Sequence, residues 1–574
     1  MNPTCAQPLS DSPSTGCADT ARPVSSGTVA AASQSSHGQI LKSSALIGGA
    51  SVINLALGAV RMKAMAVLLG PSGVGLLGVY TSICDLVRSV AGLGINTSGV
   101  RQIAEAAGSG DARRIARTVW TLRRVALVSG LLGALLLVLL REPIARVTFG
   151  GAQQANWLLL LALAVLFAEV SAAQAALVQG MRRIADLARI NVLGAFYGMV
   201  LGVGVVWFFW RRGVPEQGVV PSIVCVTGMG ILTSWWYARK VRVERVRLRW
   251  VEVAGEARAL LRLGLVFMST TLMAMGMAYL VRMILVRQIG VDAAGQYQAA
   301  WSLGGVYIGF IVQAMGADFY PRLTAVARDR DACNRLVNEQ AEVGLLLAGA
   351  GVAATLTFAP WVIRLFFSRD FGPAVEVLRW ICLGMMLRVV SWPLGFILVA
   401  RGEGAWFFWT ELVANAIQLA LVWFGVQWFG VRGAGIAFFA LYVVYLAGIY
   451  LVARRLTGFR WSAANRRLAL SFGPGVALVF LAAQTLPQWL AMLAGALLTA
   501  ILGVHSVRTL CALIPSERWP RAAQRVFGWL GLSVRAAAPV SGTNPGPPAE
   551  RPWAGLASRN HPERNRIYDE ERRK

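Results

Sequence analysis

Residues 190–210 read INVLGAFYGMVLGVGVVWFFW, 21 residues without a charged side chain. Coiled as a helix, this stretch is about 30 Å long, which matches the hydrocarbon core of a bilayer. A helix on the surface of a soluble protein keeps one polar face, and this stretch has none. Similar apolar blocks run from Val125 to Leu140, Trp157 to Leu166 and Gly344 to Phe358. The chain is 56% hydrophobic and 14% charged, against roughly 25% charged residues in soluble domains. The expected class is therefore all-α and polytopic in a membrane, with 12–14 transmembrane helices.

Working outward, spans are expected near 42–69, 75–98, 119–140, 156–180, 189–210 and 218–238. A second set falls near 259–287, 294–318, 340–366, 374–399, 405–429 and 433–453, and two more near 467–485 and 489–512. This gives six domain segments. Residues 1–38, rich in Ser, Thr, Ala and Pro, are a disordered cytoplasmic tail. Residues 39–240 form an N-terminal six-helix lobe, 241–258 a basic linker, and 259–456 a C-terminal six-helix lobe. Residues 457–515 hold an extra helix pair, and 516–574 a basic, largely disordered tail.

The net charge is +27, from 55 Lys+Arg and 28 Asp+Glu. Such a surplus raises nucleic-acid binding as a first idea, but the arginines cluster between apolar blocks, as cytoplasmic loops do. Arg113, Arg114 and Arg117, then Arg182, Arg183 and Arg189, then the run from Arg239 to Arg249 all follow even-numbered spans. Both termini are therefore placed in the cytoplasm, and no nucleic-acid partner is expected. Seven scattered cysteines and three isolated histidines offer no disulfide framework, metal site or His-based catalytic group. No cofactor is expected.

The chain repeats itself at a shift of 220. Gly70 and Gly75 fall on Gly290 and Gly295, and Asp111 falls on Asp331. Further on, Pro143, Arg146 and Phe149 run parallel to Pro360, Arg364 and Phe367 with a one-residue slip, and Gly180 parallels Gly402. Two tandem six-helix bundles of equal orientation are related by a pseudo-twofold axis along the membrane normal. Transporters with this architecture carry substrate between the halves. Gly73 to Gly78 matches G-x-G-x-x-G, but a dinucleotide site needs a strand before it. These glycines open a membrane helix, where they serve close packing.

A charge at bilayer depth faces a cavity, a partner or the interface. The cations at depth are Arg61, Lys63, Arg88, Arg282 and Arg388. Arg61, Lys63 and Arg282 lie toward span ends and either snorkel or line a cavity. Arg88 either lines a cavity or pairs with Asp85, three residues earlier. Arg388 has no local partner, so it is read as cavity lining. The carboxylates are Asp85, Glu169, Asp318 and Glu411, read as ion-coupling or ion-pairing groups. Glu169, near a span centre, is either a proton-linked carboxylate or an arginine partner. Asp318 and Glu411 are also consistent with the cytoplasmic interface. The cationic surplus suits an anionic substrate, because the guanidinium fork donates paired hydrogen bonds to phosphate.

Residues 41–105, LKSSALIGGASVINLALGAVRMKAMAVLLGPSGVGLLGVYTSICDLVRSVAGLGINTSGVRQIAE, resemble the O-antigen and lipid III flippases of the multidrug/oligosaccharidyl-lipid/polysaccharide exporter superfamily. LGPSGVGLLG is the most family-like segment, and the resemblance extends over about 40–455. It implies that an undecaprenyl-diphosphate-linked oligosaccharide is flipped from the cytoplasmic to the periplasmic leaflet of the bacterial inner membrane by alternating access. The diphosphate-sugar head group would enter a cationic cavity contacted by Arg61, Lys63, Arg88, Arg282 and Arg388. The implied partners are the lipid-linked anionic oligosaccharide, membrane lipids and other polysaccharide assembly proteins. A lipid II-type flippase and a cation-coupled drug exporter are the alternatives within the superfamily. A membrane polymerase or glycosyltransferase would display a large outer loop with catalytic groups, and the outer loops here are short.

Overall fold

The computed structural model describes residues 26–241, 243–244 and 250–513. They form helices joined by short turns, with no strand among the described residues. The first half holds α1 (Ser26–Gly92), α2 (Ile95–Ser109), α3 (Ala112–Leu139), α4 (Arg141–Phe149), α5 (Ala155–Gly180), α6 (Ile184–Arg211) and α7 (Val219–Ala238). The second holds α8 (Trp250–Gln288), α9 (Val291–Ala325), α10 (Arg330–Phe366), α11 (Ala374–Ala400), α12 (Gly404–Phe429) and α13 (Val431–Thr457). Helices α14 (Ala463–Thr485) and α15 (Gln488–Leu513) follow. Eleven helices among the described residues are long and apolar enough to cross a membrane. The protein is an all-α polytopic membrane protein.

Helix α1 is two spans joined end to end. Gly70 breaks it at φ 65°, ψ −171°, and Pro71 opens the second arm. Proline fits there because the first turn of a helix needs no N–H from it. Every expected span coincides with a helix. The second ends at Gly92 rather than near 98, because Leu93 and Gly94 take positive φ. Helix formation also starts earlier than expected at two places. Ser26–Gly38 continues α1, consistent with its Ala-rich sequence, and Trp250–Leu260 begins α8 within the expected linker. The stretch 1–25, the arginine run at 245–249 and the tail at 516–574 lie outside the described residues.

Backbone conformation marks the repeat. Gly70 and Gly290 both have positive φ at the turn before the second span of their half. Two other pairings shift. Asp111 caps α3, accepting from the backbone N–H groups of Arg113 and Arg114. The residue that does this for α10 is Asp329, which accepts from Asp331 and Ala332, so Asp331 is two residues too late. Similarly, the counterpart of Gly402 (φ 77°) is Arg182 (φ 54°) rather than Gly180, which ends α5 as a helical residue.

Each half has a core near its basic turns. In the first, Ile95, Ile103, Val119, Leu122, Ala173 and Leu177 pack together. In the second, Phe319, Leu323, Val337, Leu394, Ile397 and Phe459 do so. Trp207, Trp235, Trp236 and Trp428 stay exposed, as lipid-facing aromatics near the head groups do. Arg211 sits 4.4 Å over the Trp207 ring, and Arg239 3.4 Å over Trp236.

The halves meet in a tight seam at the end bearing the Gly70 and Gly290 turns. A Cβ on Gly75 would lie 2.2 Å from the Val291 carbonyl oxygen, and one on Gly295 would lie 1.9 Å from that of Pro71. Only glycine permits this backbone-to-backbone approach. The Thr148 and Tyr279 hydroxyls share a 2.7 Å hydrogen bond across the seam. Lys63 Nζ donates to the carbonyl oxygens of Arg364 (2.7 Å) and Phe367, capping the end of α10.

Candidate functional site

A cavity of about 450 Å³ opens among α8, α9, α11, α12 and α13. Three of the sequence-predicted residues line it: Arg282, Arg388 and Glu411. Arg282 is 7% exposed. Its Nε and Nη2 donate to Gln298 Oε1 at 3.0 and 2.7 Å, and its Nη1 to the Ala278 carbonyl at 2.6 Å. Its charge meets no carboxylate within ion-pair distance among the described residues. The same holds for Arg388, whose Nη1 has only the Met385 sulfur at 4.0 Å. Glu411 is not left at a water interface: Tyr445 Oη donates to its Oε1 at 2.8 Å inside the cavity. Tyr297, Trp301, Trp392 and Tyr442 complete an aromatic wall. Trp301 stacks on Tyr297 at 5.9 Å and meets Phe438 edge-on at 5.3 Å. Two guanidinium groups beside flat rings can hold phosphate oxygens and the apolar face of a sugar together.

A second, smaller cavity of about 210 Å³ gathers Asp85, Arg88, Asn96 and Glu169, with α8 contributing Met268 and Met275. Glu169 is 2% exposed. Arg88 Nε lies 3.5 Å from Glu169 Oε2, and Arg88 Nη1 lies 3.7 Å from Asp85. Asn96 donates to Glu169 Oε1 at 3.0 Å. A buried carboxylate needs such partners. Gly92 makes room for it, since a Cβ there would come within 2.7 Å of Glu169 Oε1.

The remaining predicted residues lie elsewhere. The Arg61 guanidinium packs against α6, where Gly198 leaves the space. The Lys63 amine is engaged by the end of α10. Asp318 is 73% exposed and pairs with Arg322 at 3.0 Å on the same helix. The sequence reading missed Tyr297, Gln298, Trp301, Asn415, Gln418 and Tyr442, all of them uncharged. Gln298, Asn415 and Gln418 had a visible signal, because an amide side chain inside an apolar span needs a partner.

A sequence model of a family described as "Polysaccharide biosynthesis protein" matches residues 64–376, more than half of the chain. The chain belongs to that family. Among curated proteins, the Lipid III flippase of Escherichia coli (strain K12) is 23% identical over 437 residues, covering 72% of this chain and 99% of its own. The Lipid III flippase of Shigella flexneri matches equally well. Solved structures show the fold. The lipid II flippase MurJ in an inward closed conformation aligns at TM-score 0.58 and 12% identity, over 81% of this chain and 99% of its own. An inward-facing multidrug resistance MATE family transporter of the MOP superfamily aligns at TM-score 0.57 and 18% identity, over 71% and 98%. This member of the polysaccharide biosynthesis family thus has the fold of the MOP superfamily transporters.

Proposed function

We propose that this protein is a flippase that moves a lipid-linked anionic oligosaccharide across the bacterial inner membrane, from the cytoplasmic to the periplasmic leaflet, by alternating access. The observation that carries the reading is the pair Arg282 and Arg388 in an aromatic-walled cavity, neither within ion-pair distance of a carboxylate among the described residues. A diphosphate offers the negative charge they lack, and its first sugars have ring faces for Tyr297, Trp301 and Tyr442. The lipid tail stays in the bilayer while the head group crosses. Arg88 has a different part. Its charge is answered by Glu169 and Asp85, so this cluster serves positioning or ion coupling rather than direct grip on phosphate. Arg61 and Lys63 brace helices. The lipid III flippase relatives support a polyprenyl-diphosphate carrier, and the family supports a surface polysaccharide as the end use: O-antigen, common antigen or exopolysaccharide. Both termini are cytoplasmic in this reading, following the Lys/Arg bias.

The test is translocation by the purified protein in proteoliposomes, using an undecaprenyl-diphosphate oligosaccharide and a membrane-impermeant probe of the sugar. Protein-dependent exposure of the sugar is expected, with at least about a tenfold loss of rate in Arg282→Gln/Arg388→Gln, in line with hydrogen bonds to charged groups. Efflux of a cationic dye without any sugar exposure would instead make Glu411 and the aromatic wall a drug site.

A further inference from the structure

A third cavity, of about 410 Å³, lies away from the transport cavity, where α10 ends, α11 begins and the α14–α15 turn closes over them. Three arginines line it: Arg364, Arg369 and Arg379, with Glu376 as the one carboxylate. Glu376 is already satisfied. Arg379 Nη1 donates to its Oε1 at 2.7 Å, and Gln484 donates to its other oxygen. Arg379 is 8% exposed; its Nη1 also reaches the Ala483 carbonyl at 3.1 Å, but its buried Nε has no hydrogen-bond partner among the described residues. Such an orphaned donor on a buried charge is costly unless something else accepts from it. Arg364 and Arg369 are exposed at the mouth and have no carboxylate within ion-pair distance among the described residues. The nearby Asp370 carboxylate accepts from Ser368 at 3.0 Å and does not line the cavity.

The surroundings indicate the depth. Trp361 on α10 and Trp489 on α15, next in sequence to the lining residues Pro360 and Gln488, are 61% and 65% exposed, and Leu365, next to the lining Arg364, is 67% exposed. Exposed tryptophan beside arginine marks the head-group level of a bilayer, with apolar side chains reaching toward the acyl region. The Lys/Arg bias assigns this end to the outer face.

We propose that this cavity binds the phosphate of a membrane lipid, with Arg364 and Arg369 gripping the phosphate oxygens and Arg379 Nε donating from below. The lipid tail lies along Trp361, Leu365 and Trp489. The extra helix pair α14–α15 supplies the far wall, through Ala483, Leu486 and Met492. The site stands independently of the transported substrate, since none of its residues lines the transport cavity.

The experiment is calorimetric titration of the purified full-length protein with dihexanoyl phosphatidic acid kept below its micelle concentration. Saturable binding is expected, weakened about tenfold or more in Arg364→Gln/Arg369→Gln and unchanged in Arg211→Gln/Arg212→Gln, which removes equal surface charge elsewhere. Arg369→Gln alone, an exposed single change, gives the same direction should the double variant fold poorly. Dihexanoyl phosphatidylcholine and inorganic phosphate are expected to bind at least tenfold more weakly. Equal binding by wild type and the 364/369 variants overturns the proposal, as does equal weakening in the 211/212 variant. Equal affinity for phosphatidylcholine would make it an unspecific apolar groove, and equal affinity for inorganic phosphate a free-anion site; either result rejects it.

Discussion

Replacing Gly295 by alanine places a methyl carbon 1.9 Å from the Pro71 carbonyl oxygen and 3.1 Å from the Gly75 nitrogen. Both are backbone atoms on the opposite side of the seam, so no rotamer change relieves the clash. Reaching ordinary contact of 3.4 Å requires the second arm of α1 and α9 to separate by about 1.5 Å. Overpacking of this kind costs about 1–3 kcal/mol, and the cost falls only on the state in which the seam is closed. The closed state should therefore lose roughly 5- to 150-fold in population relative to any state in which the seam is parted. Spin labels at Val147 and Leu365, both exposed at this end and on opposite halves, read the separation by pulsed electron resonance on a background lacking the native cysteines. Gly295→Ala should gain a longer-distance population. Gly305→Ala on the same helix, where a Cβ meets nothing within 4 Å, should leave the distribution unchanged. An unaltered distribution in a folded Gly295→Ala protein would refute the idea that this glycine contact holds one side shut.

Arg182→Gly should raise thermal stability by up to about 1 kcal/mol, because φ 54° is strained for arginine and free for glycine; a lower melting temperature would contradict this. Asp329→Ala should destabilise by about 1 kcal/mol through loss of the α10 cap, while Asp331→Ala should not, and denaturant unfolding distinguishes the two. Glu169→Leu should destabilise by several kcal/mol, since it removes the carboxylate nearest Arg88 and strands the Asn96 amide, whereas Glu169→Gln keeps the amide contact and should cost less; equal costs would show that the Asn96 contact contributes nothing beyond the ion pair.

The spans were legible because bilayer depth leaves little room for polar side chains, so the apolar runs give the helices directly. The break at Gly70 falls between the expected spans 42–69 and 75–98. The site was less legible. Charge drew attention to Arg282, Arg388 and Glu169, but it could not assign each to a cavity, because that depends on which helix face meets which neighbour. Lys63 looked like a cavity cation and turned out to serve carbonyl groups on a helix end 301 residues away. Glu411 looked interfacial from its distance to the span end, yet Tyr445, 34 residues on, draws it inward. The aromatic wall had no sequence signal, since tyrosine and tryptophan in a span equally suit lipid contact. The 220-residue period holds at Gly70/Gly290, at Gly75/Gly295 and at the positive-φ pair Arg182/Gly402, and is two residues shorter at the caps Asp111 and Asp329, because loops between helices tolerate length changes that packed seams do not.

The Lys63 contact also bears on how the chain is made. Its amine is synthesised and inserted long before the carbonyl groups of Arg364 and Phe367 emerge. During biogenesis the first half therefore holds an unsatisfied cation at the membrane surface until α10 is threaded. That contact closes a loop of about 300 residues, with a correspondingly large loop-closure cost. A translation product released before α10 is complete would keep that lysine exposed, which makes its chemical reactivity a direct reporter of how far assembly has progressed.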